Sequence, residues 1–389
     1  MTIEASPLQV VHLMRTYGAH GGEQQLAQYF GAEPEGAVCE TFVFVYRDDE
    51  CSRLFTERAP RLGQIELLRK GILARTAWRE FRTLLPLLPL LQLRFFNRIR
   101  RKKPDVCIVH GFQGALVAWP AAVIFRKIRW GYVHRITKSA AGCSAVFRLI
   151  YRPFDVVAGN SKAVTASLAP LTRRDKLATL ENGLNWRSFE DRAQAGLMAP
   201  LPDAAGPVLI CVGRLLPHKG QSIIIDAFDV VAREFASAAL WIAGDGVEMD
   251  SLRRQAAASS SADRIHFLGR REDVPAVLMR ANVFVNASSW EGLSNAVLEG
   301  MAAGLPSVVS DAPGVTECHV QGVTGFVVQR DARQIATAIT QLLRTPALLR
   351  AMGDAARLHA RERYSMEACR KRYLALFERL TGRSVCVES

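Results

Sequence analysis

Cysteine is scarce in the 389-residue chain and carries no pattern. Eight cysteines are scattered with no C-x-x-C pair and no Cys/His cluster at zinc spacing, which argues against a structural zinc module or a disulfide framework and for buried thiols in a reducing compartment. Two phosphate-binding signatures are also missing. Neither G-x-G-x-x-G nor G-x-x-x-x-G-K-[ST] occurs, so neither the usual dinucleotide fingerprint nor a P-loop is available. The opening residues, MTIEASPLQVV, have no charged n-region and do not read as a secretory signal. Long apolar runs are absent as well. The longest, Leu84–Leu93, contains two prolines and is too short to span a bilayer. These absences describe a cytoplasmic chain.

What is present is size and a lopsided charge. A chain of 389 residues exceeds one comfortable hydrophobic core, so two domains are expected. The net charge is +13. Residues 1–190 hold 28 Lys and Arg against 16 Asp and Glu, a balance of +12, and the remainder is nearly neutral at +1. The densest basic stretch runs from Arg69 to Lys103, with Glu80 its single acid, and mixes Arg and Lys with Leu and Phe. That mixture fits the interface of an anionic membrane. Such a charge also invites a nucleic-acid reading, but no RNA- or DNA-binding motif is found and no stacking aromatics are interleaved with the basic run. Nucleic acid is therefore not expected as a partner.

Eleven short apolar runs read as buried strands: Leu8–Met14, Thr41–Tyr46, Asp105–Gly111, Trp130–Arg135 and Asp155–Ser161, then Val208–Arg214, Ala239–Gly246, Arg264–Gly269, Asn282–Ser288, Pro306–Asp311 and Gly325–Val328. Near-continuous apolar strands alternating with helical patterns imply parallel sheets covered on both faces, here two doubly wound α/β domains. The break is placed in the Pro-, Gly- and Ala-rich stretch Arg192–Pro207. A final helix is expected from Ser365.

In open α/β sheets ligands sit outside the carboxyl ends of the strands. There the sequence places Arg214 and Lys219 before a helix, two cations that with free backbone N–H groups make an anion site. Glu291 follows the strand Asn282–Ser288, and Glu299 lies one to two turns into a short helix capped by Ser294 or Asn295. Carboxylates suit paired hydroxyls of a ribose or hexose. In the first half Gly21 and Gly22 lead into a helix, and His110 stands at a strand end. Asp48 and Asp49 follow a strand too, but without an Asp-x-Asp they read as a solvated turn, and no essential metal is predicted.

Together, VGRLLPHKG, IAGDG, FLGR, SSWEGLSNAVLEGMAAGLPSV and GVTGFVV resemble, in order and spacing, the retaining glycosyltransferases of family four. The likeness covers nearly the whole chain and is specific in the second half, where Glu-x7-Glu is followed by AAGLP. It implies a GT-B fold, two Rossmann-like doubly wound domains facing across a cleft: an acceptor-side domain at 1–190, with a C-terminal helix at 366–382 packing back on it, and a nucleotide-sugar domain at 191–365. By resemblance, Glu291 contacts the donor sugar, Glu299 grips the ribose, and Arg214 and Lys219 hold the diphosphate. Gly292, Leu293 and Ser294 meet sugar and phosphate through their backbone. Leu268, Gly269 and Arg270 seat the base, Gly21 and Gly22 close over phosphate and acceptor, and His110 touches the sugar. Asn185 stands where an Asp is common and is left out of catalysis. The implied activity is transfer of a sugar from a nucleoside diphosphate, uridine being the first guess for the base, to a lipid-linked or glycan acceptor, without a cofactor. A nucleotide-sugar epimerase of the same fold, or a basic-surface binding protein without turnover, is the alternative.

Overall fold

The computed structural model describes residues 6–15, 21–31, 38–46, 49–60, 62–68, 77–135, 144–196 and 198–385, the side chains of 77–83 and 144 excepted. The chain forms two compact units, Met1–Gly183 with Met366–Ser389, and Leu184–Ser365.

The first unit is built on a seven-stranded parallel sheet of β1 (Leu8–Met14), β2 (Val38–Tyr46), β3 (Gly63–Leu68), β4 (Val106–His110), β5 (Arg129–His134), β6 (Val156–Gly159) and β7 (Leu177–Thr179). Its order is β3-β2-β1-β4-β5-β6-β7. The second unit holds β8 (Val208–Val212), β9 (Ala239–Ala243), β10 (Ile265–Gly269), β11 (Val283–Asn286), β12 (Ser307–Ser310) and β13 (Gly325–Val328), ordered β10-β9-β8-β11-β12-β13. Two strands, β3 and β7, were not expected. Both are sheet edges, and their partly exposed side chains give no continuous apolar run.

Each sheet is covered on both faces. In the first unit Val10, Ile108 and Val133 pack one way with Leu26, Tyr373 and Phe377, while Val11, Val109 and Tyr132 pack the other way with Leu91, Phe95 and Ala118. The helix Met366–Thr381 packs on the helix Gly21–Gly31 and on β4 and β5, within that unit. The expected linker Arg192–Pro207 is partly helical instead. Trp186–Ala195 forms a helix that buries Phe189 and Ala193 and lies on Val274–Leu278. Asn185 caps it, accepting from the Ser188 N–H at 3.0 Å, so the polar side chain at this position starts a helix.

The run Leu84–Leu93 lies inside a long helix, Ala77–Lys102, which continues through Pro86 and Pro89. Both prolines are on its exposed face, where carbonyls left without an intrahelical partner can be hydrated. Among the described residues no helix is long and apolar enough to cross a membrane. Five of the six described cysteines are buried, and Cys39 is exposed, contrary to expectation. Asp49 opens the helix Asp49–Arg58 rather than a turn; Asp48 lies outside the described residues.

The second unit encloses two histidines that ordinary acid would charge. Burial pulls His319 down to about 4, helped by repulsion from His359, which is also lowered. The Nε2 atoms of both are enclosed without a protein partner. The folded form then holds the His319 proton more weakly than the unfolded chain, whose imidazole titrates near 6.5. Stability is expected to fall as pH drops from about 6.5 toward 4, by up to about 3 kcal/mol from this residue. Thermal unfolding across that range should show a shallower acid loss for His319→Gln; identical pH profiles would contradict the assignment.

Candidate active site

Both sheets reverse direction of growth at one pair of strands, β1 and β4 in the first unit, β8 and β11 in the second. At such a switch point the two flanking loops part and leave a crevice at the carboxyl ends of the strands. The candidate residues gather at these two places.

In the second unit β8 ends at Val212. Gly213 follows, then Arg214, the short turn Pro217–Lys219, and the helix Gln221–Glu234. Gly220 connects turn to helix in the left-handed region at φ 71°, and a Cβ there would lie 2.2 Å from the Ala287 carbonyl oxygen. Only glycine permits this approach. It brings the helix N-terminus against the end of β11 and sets Lys219 beside Glu291. The two form an ion pair, with side chains 18% and 12% exposed. Ser288 Oγ donates to the same Glu291 oxygen at 2.9 Å, and Ser310 Oγ fixes the Ser288 carbonyl at 2.6 Å. The Glu291 N–H donates to the Pro313 carbonyl at 3.1 Å. Arg214 is held through its carbonyl, which accepts from Gln221 Nε2 at 3.1 Å.

No side chain caps the helix Gln221–Glu234. Ser294 stands at the N-cap of the helix Asn295–Ala302, but its side chain makes no capping bond either, which corrects the capping role expected of it. Two helix N-termini without a side-chain cap, flanked by Lys219 and Arg214, form a preorganised seat for an anion. Gly292, Leu293 and Ser294 are buried in the loop between Glu291 and the second of these helices, and Glu299 is half-buried within it. Leu268 and Gly269 end β10, two strands from β8. Gly269 adopts φ 64°, its carbonyl accepts from the Gly244 N–H at 2.8 Å, and Arg270 beyond it is exposed.

In the first unit Gly21 and Gly22 begin the helix Gly21–Gly31, and His110 ends β4 directly beside Met14 of β1. Gly22 faces Arg135 and Met14, a Cβ at this position falling 3.7 and 3.8 Å from them. Burial, aided by Arg135 and His12, holds His110 well below the ordinary imidazole range, so it is neutral. Its Nε2 lies 3.1 Å from His12 Nδ1.

Several residues at these strand ends escaped sequence reading. Cys211 on β8 feels both Lys219 and Glu291, and burial pushes its thiol up to about 12, which keeps it protonated. His218 and Trp290 stack 4.1 Å apart beside the ion pair. Gly314, at φ 80°, passes so near the Gly292 carbonyl that a Cβ would sit 1.9 Å from it. Among the described residues no group of three His, Cys, Asp or Glu side chains is placed to hold a metal.

Residues 206–345 match the family described as Glycosyl transferases group 1. The chain is 28% identical over 288 residues, 74% of it, to the lipopolysaccharide core biosynthesis glycosyltransferase LpsE of Rhizobium meliloti, of which it spans 79%. It is 34% identical over 206 residues, 48% of its length, to a GDP-mannose-dependent alpha-(1-6)-phosphatidylinositol monomannoside mannosyltransferase of Mycolicibacterium smegmatis, and spans about half, 53%, of that protein. In three dimensions it resembles Anabaena Alr3699/HepE solved with UDP, with a TM-score of 0.78 at 18% identity over 96% of this chain and all of that one. That likeness shows the GT-B fold.

Gly220 allows a direct check of how the seat is built. Gly220→Ala is expected to destabilise the protein by well over about 2 kcal/mol, because strain and a backbone clash add. Gly322→Ala, at φ 73° with open space around it, should cost only about 1 kcal/mol. Equal losses in denaturant unfolding would mean that the Gly220–Ala287 contact is relaxed in solution.

Proposed function

We propose that the chain is a group 1 glycosyltransferase of GT-B fold that moves a sugar from a nucleoside diphosphate to an acceptor hydroxyl with retention of anomeric configuration, in envelope polysaccharide or glycolipid synthesis. The observation that carries this reading is the Lys219–Glu291 pair at the β8–β11 switch point, beside Arg214 and two helix N-termini that no side chain caps. The relatives named for lipopolysaccharide core and phosphatidylinositol mannoside synthesis support the acceptor class.

In this reading Lys219, Arg214 and the helix N-termini take the diphosphate. They bind it more strongly as charge develops on the leaving group, which lowers the barrier. Glu291, released from Lys219 as the phosphate arrives, accepts hydroxyls of the donor sugar. Glu299 accepts from the ribose, and the base rests near Leu268, Gly269 and Arg270. Gly292, Leu293 and Ser294 contribute backbone contacts. Gly21, Gly22 and His110 belong to the sugar and acceptor side. No metal or cofactor is invoked, because the cationic side chains already meet the phosphate charge. The UDP complexes of a structural neighbour and the GDP-mannose dependence of a relative make UDP and GDP the first bases to compare.

The helix Ala77–Lys102 supports a further part of the reading, peripheral binding at the inner face of an anionic membrane. Leu85, Leu90 and Leu93 are 49%, 40% and 57% exposed along one face, and Arg98, Arg100 and Arg101 are exposed in its last turns. Val146 and Leu149 are 49% and 55% exposed on the helix Ser144–Tyr151, which packs on the helix Phe112–Ile124 as Ala77–Lys102 does. Apolar contact and lipid charge would act together. Residues 69–76 of the basic strip, and the side chains of 77–83, lie outside the described residues.

Two measurements test these points. Thermal shift against UDP, GDP, ADP and TDP, in excess EDTA, should single out one base, since a ligand at 100 times its Kd stabilises by about 2.7 kcal/mol. Glu299→Ala and Lys219→Ala should lose the shift, and Lys219→Ala should cost about 10- to 100-fold in transfer. Glu291→Gln should keep the shift while turnover falls. No shift with any nucleotide would sink the donor assignment. For the membrane, flotation with phosphatidylglycerol-containing liposomes at moderate salt should carry the protein, and Leu90→Glu with Leu93→Glu should leave it behind; absence of binding by the unaltered protein would remove the claim.

A further inference from the structure

Polar side chains are rare inside the first sheet, and three of them form a chain. His12, in the middle of β1, is fully buried. Its Nε2 lies 3.2 Å from Glu40 Oε1 on β2, and its Nδ1 lies 3.1 Å from His110 Nε2 on β4. The two imidazoles stack at 5.4 Å with 13° between their planes. Tyr29 O–H donates to the same Glu40 oxygen at 2.9 Å, and burial and Glu40 keep that phenol firmly protonated. At the far end His110 Nδ1 is enclosed and has no hydrogen-bond partner. Gly111 follows at φ 77°, and among the described residues nothing lies within 4 Å of where its Cβ would sit.

Hydrogen-bond logic orients this chain. A carboxylate only accepts, so His12 Nε2 carries the proton toward Glu40. Two guanidiniums already act on this cluster, Arg370 over the Tyr29 ring and Arg135 beside His110 and Tyr373. The pocket is otherwise aromatic, with Phe30 edge-on to His12 at 4.8 Å. With its proton held on Nε2 by Glu40, His12 presents Nδ1 to His110 as the acceptor. His110 must then donate from Nε2.

We propose that Glu40 and His12 are positioning residues that lock His110 as its Nε2–H tautomer, so that its Nδ1 lone pair faces the carboxyl end of the β1–β4 pair as an acceptor for a hydroxyl of the bound sugar or acceptor. The ligand's identity rests on the transferase reading; the tautomer does not. A bare acceptor at this point selects a hydroxyl donor and rejects a ligand oxygen that carries no proton, such as an ether or a carboxylate.

Two-bond proton–nitrogen correlation spectra of the full chain, labelled with 15N in the imidazoles and assigned through His110→Gln, test this directly. The unaltered protein should show His110 protonated at Nε2 only. Glu40→Gln keeps the shape but offers His12 an amide that also donates. It should therefore populate the reversed chain, with His110 protonated at Nδ1, while thermal stability stays close to that of the parent. A parent His110 protonated at Nδ1, a doubly protonated His12, or no change of tautomer in Glu40→Gln would each overturn the proposal. In assays with UDP-glucose or GDP-mannose, whichever the chain turns over, Glu40→Gln should lower kcat/KM about tenfold with unchanged affinity for the free nucleotide. If neither donor is turned over, the transferase reading is what fails, and the spectra still decide the chain.

Discussion

A parallel strand covered on both faces has no room for an unpaired charge, and nearly every strand here is of that kind. This constraint explains where the chemistry lies. Side chains along β8, β9, β11 and β12 are uncharged, so the charged groups gather where the strands end, and the switch point supplies the space between them. The helices after β8 and β11 then start at the same crevice with their N-terminal N–H groups exposed to it. Fold and anion seat are one arrangement.

The Lys219–Glu291 pair is a second consequence. Two charges this far from water would each be costly alone, and together, with the Ser288 hydroxyl on the same carboxylate, they are tolerated. The pair also stores the site's cation in a neutralised form. In the proposed reaction an incoming diphosphate would compete with a carboxylate already in place, so binding would exchange one anionic partner of Lys219 for another and free Glu291 for hydroxyls.

Much of this was legible in the sequence, because strand-end position is a local property. Eleven of the strands, the Glu291 loop and the Arg214–Lys219 turn are all marked by the change from an apolar run to polar residues. The unread parts depend on contacts that spacing does not carry. β3 and β7 are edge strands whose half-exposed side chains give no buried pattern. The helix Trp186–Ala195 hides in a stretch whose neighbours look like linker. Ser294 has the composition of a cap yet leaves the helix end without its side chain. Gly314 and Gly220 look like ordinary turn glycines until the carbonyls opposing them are known. His12 carried one faint signal, a polar residue inside an otherwise apolar strand, whereas Glu40 stands just before the expected strand Thr41–Tyr46; their partner His110 lies 98 residues from His12.

That exception completes the argument from burial. The first sheet does admit polar groups, and Glu40, His12 and His110 form a sequence of contacts across three strands that ends at the unpartnered His110 Nδ1. The second unit answers ionic charge with ionic charge, through Lys219, Arg214 and helix dipoles. The first answers with a neutral imidazole whose polarity is set by neighbours on two other strands. In the proposed reaction phosphates would meet the former and hydroxyls the latter. Two sheets of the same topology thus present different chemistry at equivalent switch points, and what differs is whether the buried polar chain ends in a charge or in a lone pair.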